Sequence, residues 1–379
     1  MALKKKAPET VVFHGTTTGA WAVPKTRKST NEQREVIGTA GNLVTVTAYA
    51  GTGKTTTLHE FARARHSEKM LYLVFNRSMA EDAKRAFKDC ANVSISTIHA
   101  LAFRFYGRDY QRKLGNIRPH DLRRYLQKRN MPHSYEAVSS LFHIVQTFLM
   151  SADADPAATV ARLKPDRRRE IAERGLDAQK LVDAATEVWA DIRAQELPMP
   201  HNGYLKMLQL NPVPLNVDRI LVDEAQDISD CVIDIVAGSG KKLLLVGDPY
   251  QQIYGWNGAV DALAKMSGNG ATSYYLTQSF RCPNDVAGAA DVYLQALNAP
   301  KTFRGAPQLL PPQGPEAVIA RTNLGLFDEI VSANPAKTNI YYTGGFESYE
   351  YRSLVDIYRL KNNERHKVRD TFIGSFEEF

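Results

Sequence analysis

Long apolar runs are absent from this chain. No stretch approaches the ~18 residues that a membrane-spanning helix needs, so no membrane partner is expected. Cysteine is scarce: Cys90, Cys231 and Cys282 stand far apart without ligand spacing, which argues against a disulfide framework or a zinc site and fits a reducing cytoplasm. There is no internal repeat and no low-complexity tract. Lys4, Lys5 and Lys6 are followed by Ala7-Pro8-Glu9-Thr10 where a secretory leader would carry an apolar core, so they read as a short basic tail.

What is present fits a folded protein of two or three domains: 379 residues, 44% hydrophobic. A formal charge of +7 leans weakly towards a polyanionic partner. The most informative stretch is Asn42 to Leu58. Leu43 to Thr47 alternates as a short strand, and Ala48 holds a position often taken by glycine. Ala50-Gly51-Thr52-Gly53-Lys54-Thr55-Thr56 then forms a phosphate-binding loop. Its glycines allow a tight turn with N–H groups facing an anion, Lys54 meets the β- and γ-phosphates, and the Thr55 hydroxyl is placed for Mg²⁺. Leu58, Phe61 and Ala62 continue as a helix whose N-terminus faces the phosphate.

Around the loop, a capping signal at Ser29 with Glu32 predicts a short helix. Met70–Phe75 and 93–95 predict strands, and 78–88 and 99–106 predict helices, so the class is α/β with a parallel, doubly wound sheet. From 107 to 211 strand signals vanish. This arginine-rich stretch reads as a helical insertion, its charges either contacting phosphates or lining a solvated face. Strands resume at 219–222 and 243–246, and the chain is expected to leave this first domain around Ala271–Leu276. Further strands are predicted at 317–320 and 338–342, beyond a proline-rich loop at 311–315. The expected division is a lead-in (1–28), a first motor domain (29–106 and 212–275), the insertion (107–211) and an incomplete second motor domain (276–379).

Leu221-Val222-Asp223-Glu224-Ala225-Gln226-Asp227 delivers two adjacent carboxylates to the sheet edge. Asp223 suits a hydrated Mg²⁺, and Glu224 suits orienting and deprotonating a water. In the Gly247–Ala259 segment, Gln251 is placed to sense a γ-phosphate. Tyr254 and Trp256 are either base-stacking or core aromatics.

The order of these segments resembles superfamily 1 DNA helicases of the UvrD/Rep type, most closely the F-box DNA helicase branch with its phage and bacterial relatives. The resemblance spans about residues 29 to 379. It implies RecA-like motor domains, ATP and Mg²⁺ as cofactors, and single-stranded DNA or a single/double-strand junction as partner. It also implies 3′ to 5′ translocation, unwinding, and a bacterial or phage-infected host cytoplasm. By the same resemblance Gln33 reads adenine, Asn76, Thr97 and His99 line the DNA path, Trp256 stacks on a base, and Phe280 and Arg281 meet adenine and the γ-phosphate. A Thr-x-His-x-x-Lys-Gly segment and a late arginine motif, usual in the family, are missing from Cys282 to Phe379. The expectation is therefore a truncated or split helicase, with a separate chain as one source of the missing motifs. The competing readings are a module that binds ATP and DNA with little unwinding, and a regulatory ATPase acting on protein partners.

Overall fold

Strands buried on both faces of a parallel sheet must be apolar at nearly every position, and the apolar runs at 43–47, 70–75, 219–222 and 243–246 become the inner strands. The computed structural model describes residues 13–16, 28–163, 165–252, 260–306, 316–320, 322–333, 340–342, 345, 349, 351–370 and 373. In chain order, β1 (Phe13–Thr16) precedes α1 (Asn31–Gly38), β2 (Leu43–Ala48), α2 (Lys54–Arg63), β3 (Met70–Val74), α3 (Arg77–Ala86), β4 (Val93–Thr97) and α4 (Ile98–Phe105). Helices follow: α5 (Pro119–Gln127), α6 (Tyr135–Met150), α7 (Pro156–Thr159), α8 (Pro165–Glu173), α9 (Ala178–Arg193) and α10 (His201–Leu210). Next come β5 (Arg219–Val222), α11 (Asp230–Ala237), β6 (Lys242–Gly247), α12 (Ala262–Ser267), β7 (Thr272–Leu276), β8 (Gln278–Pro283), α13 (Asn284–Ala296) and β9 (Arg304–Ala306). The last are β10 (Glu316–Ile319), α14 (Asn323–Ser332) and α15 (Arg352–Lys361).

Two compact units result, Pro24–Leu309 and the combination of Met1–Val23 with Leu310–Phe379. The larger holds a parallel sheet of order β4-β3-β5-β6-β2-β7. Its two faces alternate residue by residue. Leu71, Leu73, Ile220, Val222, Leu243 and Leu245 join one core, which runs on without a break into α5, α6, α9 and α10. Tyr72, Val74, Leu221, Leu244 and Val246 join the other, with Leu58 and Phe61 of α2 and Ala83 of α3. Val46 pairs with Val246, and Val222 with Leu245, so β2, β5 and β6 end at a common edge. Ligands of open α/β sheets bind at that edge.

Two local expectations shift. The cap of α1 is Thr30, not Ser29; its hydroxyl accepts from Gln33 N–H while the Gln33 side chain answers the Thr30 N–H, a closed capping box. Residues 272–276, at the end of the expected first motor domain, form the sheet's edge strand β7 beside β2, though no strand is predicted there. Thr272 and Ser273 are exposed, so the alternation is weak there. In the smaller unit β10 pairs antiparallel with β1. The strand predicted at 338–342 is absent over its described part, 340–342, where Tyr342 packs edge-on against Tyr349 and Tyr351.

Half of the insertion's arginines are held in ion pairs among the described residues, including members of each basic cluster. Arg124 pairs with Asp191, Lys128 and Arg129 with Glu187, Arg162 with Asp153, and Arg167 with Glu170. At the sheet's other edge Arg219 is fully buried over the Phe61 ring, its Nε 3.1 Å from Glu68, which Lys242 also meets at 2.8 Å. Removing the carboxylate strands a buried cation. We therefore expect Glu68→Ala to cost about 3 kcal/mol in urea unfolding, and Arg219→Met clearly less, because it removes the charge together with its need for a partner.

Candidate active site

The turn after β2 is shaped by where its carbonyls go. Tyr49 O accepts from the Thr52 hydroxyl at 2.8 Å, and Gly53 O from Thr57 N–H at 2.9 Å. Ala50 O accepts from Ser279 Oγ, Gly51 O from Phe280 N–H, and Thr52 O from Gln33 Nε2, at 2.8, 2.8 and 3.2 Å. Strand β8 and helix α1 thus hold the loop's carbonyls from outside. Among the described residues the N–H groups of Gly51, Gly53 and Lys54 make no hydrogen bond within the chain. A ring of such donors at the N-terminus of α2 is an anion site. Gly51 and Gly53 have φ of 68° and 82°, and a Cβ on Gly51 would strike the Cβ of Arg281. A Cβ on Gly53 would stand 2.9 Å from Gln33 Nε2 and 3.5 Å from the Phe280 ring. Gln33, Phe280 and Arg281 therefore come from distant segments to the rim of one loop, with Thr55 and Thr56 exposed on the first turn of α2.

Facing the loop, Asp223 is 4% exposed; burial and the neighbouring Glu224 charge push its pKa up, while a 2.5 Å hydrogen bond from the Tyr72 hydroxyl opposes them. Burial and Asp223 in turn raise the Tyr72 phenol, and Thr55 on the other side pulls it down. Tyr72 thus binds one of the two expected cation ligands, Asp223, directly. A hydroxyl and a buried carboxylate that makes no ion pair among the described residues are hard oxygen donors, and they fit Mg²⁺. Glu224 adopts φ 50°, ψ 46°, a left-handed conformation costing about 1–2 kcal/mol outside glycine. Its Oε2 accepts from Lys54 Nζ and from Gln226 Nε2, both at 3.0 Å. Lys54 and Glu224 hold each other.

Gln226 extends this contact to the next strand. Its Oε1 accepts from Asp248 N–H at 3.0 Å, and its carbonyl from Gln252 Nε2 at 2.7 Å. A Cβ on Gly247 would stand 2.6 Å from that Oε1, so only glycine allows the approach. Gln251, expected near the γ-phosphate, donates to Asp248 Oδ2 at 2.5 Å. Burial raises the Asp248 pKa.

The DNA-path candidates sit at the same sheet edge, engaged locally. Asn76 caps α3 by accepting from Met79 N–H at 2.9 Å, and Thr97 caps α4 by accepting from Ala100 N–H at 3.1 Å. His99 has its pKa lowered by burial and lies 3.2 Å from Asn202 Oδ1. It lines a cavity of about 120 Å³ with Asn202, Asp223 and Asp227. Tyr254 and Trp256 lie outside the described residues. Tyr72, Gln226, Asp248 and Ser279 had no assigned role in the sequence. Tyr72 was hidden inside an apolar strand, and the other three act through side-chain contacts that spacing does not encode.

A family model described as an AAA domain matches residues 33–257. F-box DNA helicase 1 of Gallus gallus is 29% identical over 382 residues, covering 93% of this chain and 37% of that protein. F-box DNA helicase protein 1 of Schizosaccharomyces pombe is 30% identical over 301 residues, covering 72% of this chain and 33% of its own length. DNA helicase II of Escherichia coli is 35% identical over 86 residues, 21% of this chain and 12% of that one. The chain thus spans about a third of the length of the two F-box relatives. A domain of this kind implies nucleotide binding, and the described residues contain no helix long and apolar enough to cross a membrane.

The buried Asp223 gives a stability prediction. Its folded pKa lies above the unfolded value of about 3.9, so the folded chain keeps a proton that the unfolded chain releases. Stability therefore falls as pH rises from the unfolded towards the folded value, and the loss persists above it. Without nucleotide, Asp223→Asn should unfold at a midpoint about 2 °C or more above the parent chain at pH 7. The gap should close in acid, as followed by thermal denaturation across pH.

Proposed function

The chain belongs to the superfamily 1 helicases of the UvrD-like branch, and we propose that it is an ATP-driven motor on single-stranded DNA, or the N-terminal portion of one. In this reading it moves 3′ to 5′ and unwinds at a single/double-strand junction. The observation that carries the proposal is the Lys54–Glu224 pair at the mouth of a loop whose carbonyls are turned outward.

ATP places its β- and γ-phosphates on the N–H groups of Gly51, Gly53 and Lys54. The γ-phosphate competes with Glu224 for Lys54. Glu224, released but still held by Gln226, then has a lone pair for the attacking water. Mg²⁺ held by Thr55 and Asp223 would neutralise phosphate charge. Gln33 spends one amide proton on Thr52 and one lone pair on Thr30; the remaining donor and acceptor suit the edge of adenine, over which the Phe280 ring stacks. Arg281 is exposed and, among the described residues, makes no ion pair, so it is available to a phosphate. Gln251, tied to Asp248 beside Gln226, relays the γ-phosphate state to the segment carrying Tyr254 and Trp256, which grips a base. Asn76, Thr97 and His99 line the strand's path. A separate chain supplying a facing arginine would raise turnover further.

ATP hydrolysis should rise when single-stranded DNA is added; a rate indifferent to DNA would sink the proposal. Lys54→Ala should lose nucleotide binding, whereas Glu224→Gln should bind ATP normally and hydrolyse it at least about 100-fold more slowly. Normal turnover by Glu224→Gln would move the base elsewhere. Trp256→Ala should weaken DNA affinity by about 1–3 kcal/mol with nucleotide affinity retained, as read by fluorescence anisotropy.

A further inference from the structure

The spacing of the three cysteines predicts no metal site, yet the fold brings a histidine and a carboxylate to one of them. His59, on the outer half of α2, has Nε2 2.7 Å from Asp89 Oδ1. Cys90 Sγ lies 4.0 Å from the same oxygen, and one donor atom of each residue falls within 4.8 Å of the other two. We propose that His59, Asp89 and Cys90 form a binding site for a divalent transition metal of the zinc class, separate from the nucleotide site.

The scaffold around these donors is set without a metal. Asn92 Nδ2 shares its two protons among the carbonyls of Ala62, Arg65 and Glu68, at 3.3, 3.0 and 3.0 Å, tying the end of α2 to the segment that carries Asp89 and Cys90. The Phe87 ring meets His59 edge-on at 5.4 Å and limits its rotation. Glu60 Oε1 is 3.6 Å from His59 Nδ1, longer than a hydrogen bond, and faces the ring nitrogen that Asp89 does not meet. Arg63 Nε is 3.6 Å from Asp89 Oδ2, which leaves Oδ1 on the side of the thiol. Cys90 is 6% exposed, so its sulfur meets the site from the protein side.

The donor set selects the ion. One imidazole nitrogen, one carboxylate oxygen and one thiolate suit a borderline cation. Mg²⁺ and Ca²⁺, which take oxygen ligands, are disfavoured. Three protein ligands leave a fourth position for water. On binding, the Cys90 S–H proton passes to solvent, the His59 Nε2 proton is exchanged through solvent for one on Nδ1, and metal–nitrogen and metal–oxygen bonds replace the His59–Asp89 hydrogen bond. The ion then braces the outer half of the helix whose first residue is Lys54.

The test uses the whole chain, stripped of metal and kept reduced with a non-thiol reductant, titrated with Co²⁺ without nucleotide or Mg²⁺. A near-ultraviolet thiolate-to-cobalt band should saturate at one equivalent and vanish on adding Zn²⁺. Cys90→Ser should abolish the band. Asp89→Asn, at an exposed carboxylate, should weaken Co²⁺ binding about tenfold or more. Lys54→Ala should leave the band intact, separating this site from the nucleotide site. Absence of the band at stoichiometric Co²⁺ overturns the proposal. So does a band that survives in Cys90→Ser, because the thiolate would then be Cys231 or Cys282.

Discussion

The outward capture of the loop's carbonyls is the constraint on which the site depends. A tight turn that presents N–H groups to an anion leaves its carbonyls on the outside, and buried carbonyls need donors. Those donors arrive from α1 through Gln33 and from β8 through Ser279 and Phe280. The same hydrogen bonds that shape the loop also place the Gln33 and Phe280 side chains at its rim. The geometry of the loop and the placement of these side chains are thus one arrangement. Gly51 and Gly53 are required twice over, for their left-handed backbone and for the close approach of Arg281 and Gln33.

The carboxylate side of the site is held at some cost. Asp223 sits in a buried position that disfavours its charge, and Glu224 takes a backbone conformation that disfavours its side chain. Such tension at a sheet edge is tolerated because the apolar strands beneath are packed on both faces. Gln226 makes the tension directional by bonding to Glu224 on one side and to the chain beyond β6 on the other. A change at Lys54 can therefore reach the segment after β6 through three side chains.

Much of this was legible in the sequence because it is local. The glycine-rich turn, the apolar strand runs, the two acids after β5 and the long helical stretch each follow from residue type and period over a few positions. Where local signals were weak, the expectation drifted. Edge strand β7 carries no clear strand signal in the sequence because a strand covered on one side need not be apolar throughout. The cap of α1 moved from Ser29 to Thr30 because both residues can cap, and Gln33 completes a box only with Thr30. Ile340 to Tyr342 has the composition of a strand, but Tyr342 packs among tyrosines instead.

The sequence by itself determined the class of fold, the anion-binding turn and the carboxylates opposite it, since each is written in neighbouring residues. Only the tertiary structure decided that Lys54 and Glu224, 170 positions apart, neutralise each other, that Tyr72 bonds to Asp223, and that Gln226 reaches the backbone of Asp248. It also decided that His59 stands beside Asp89 and Cys90. These contacts join residues far apart in the chain, and their distances are set by how strands stack in the sheet and helices pack on it. Residue spacing carries no record of that packing.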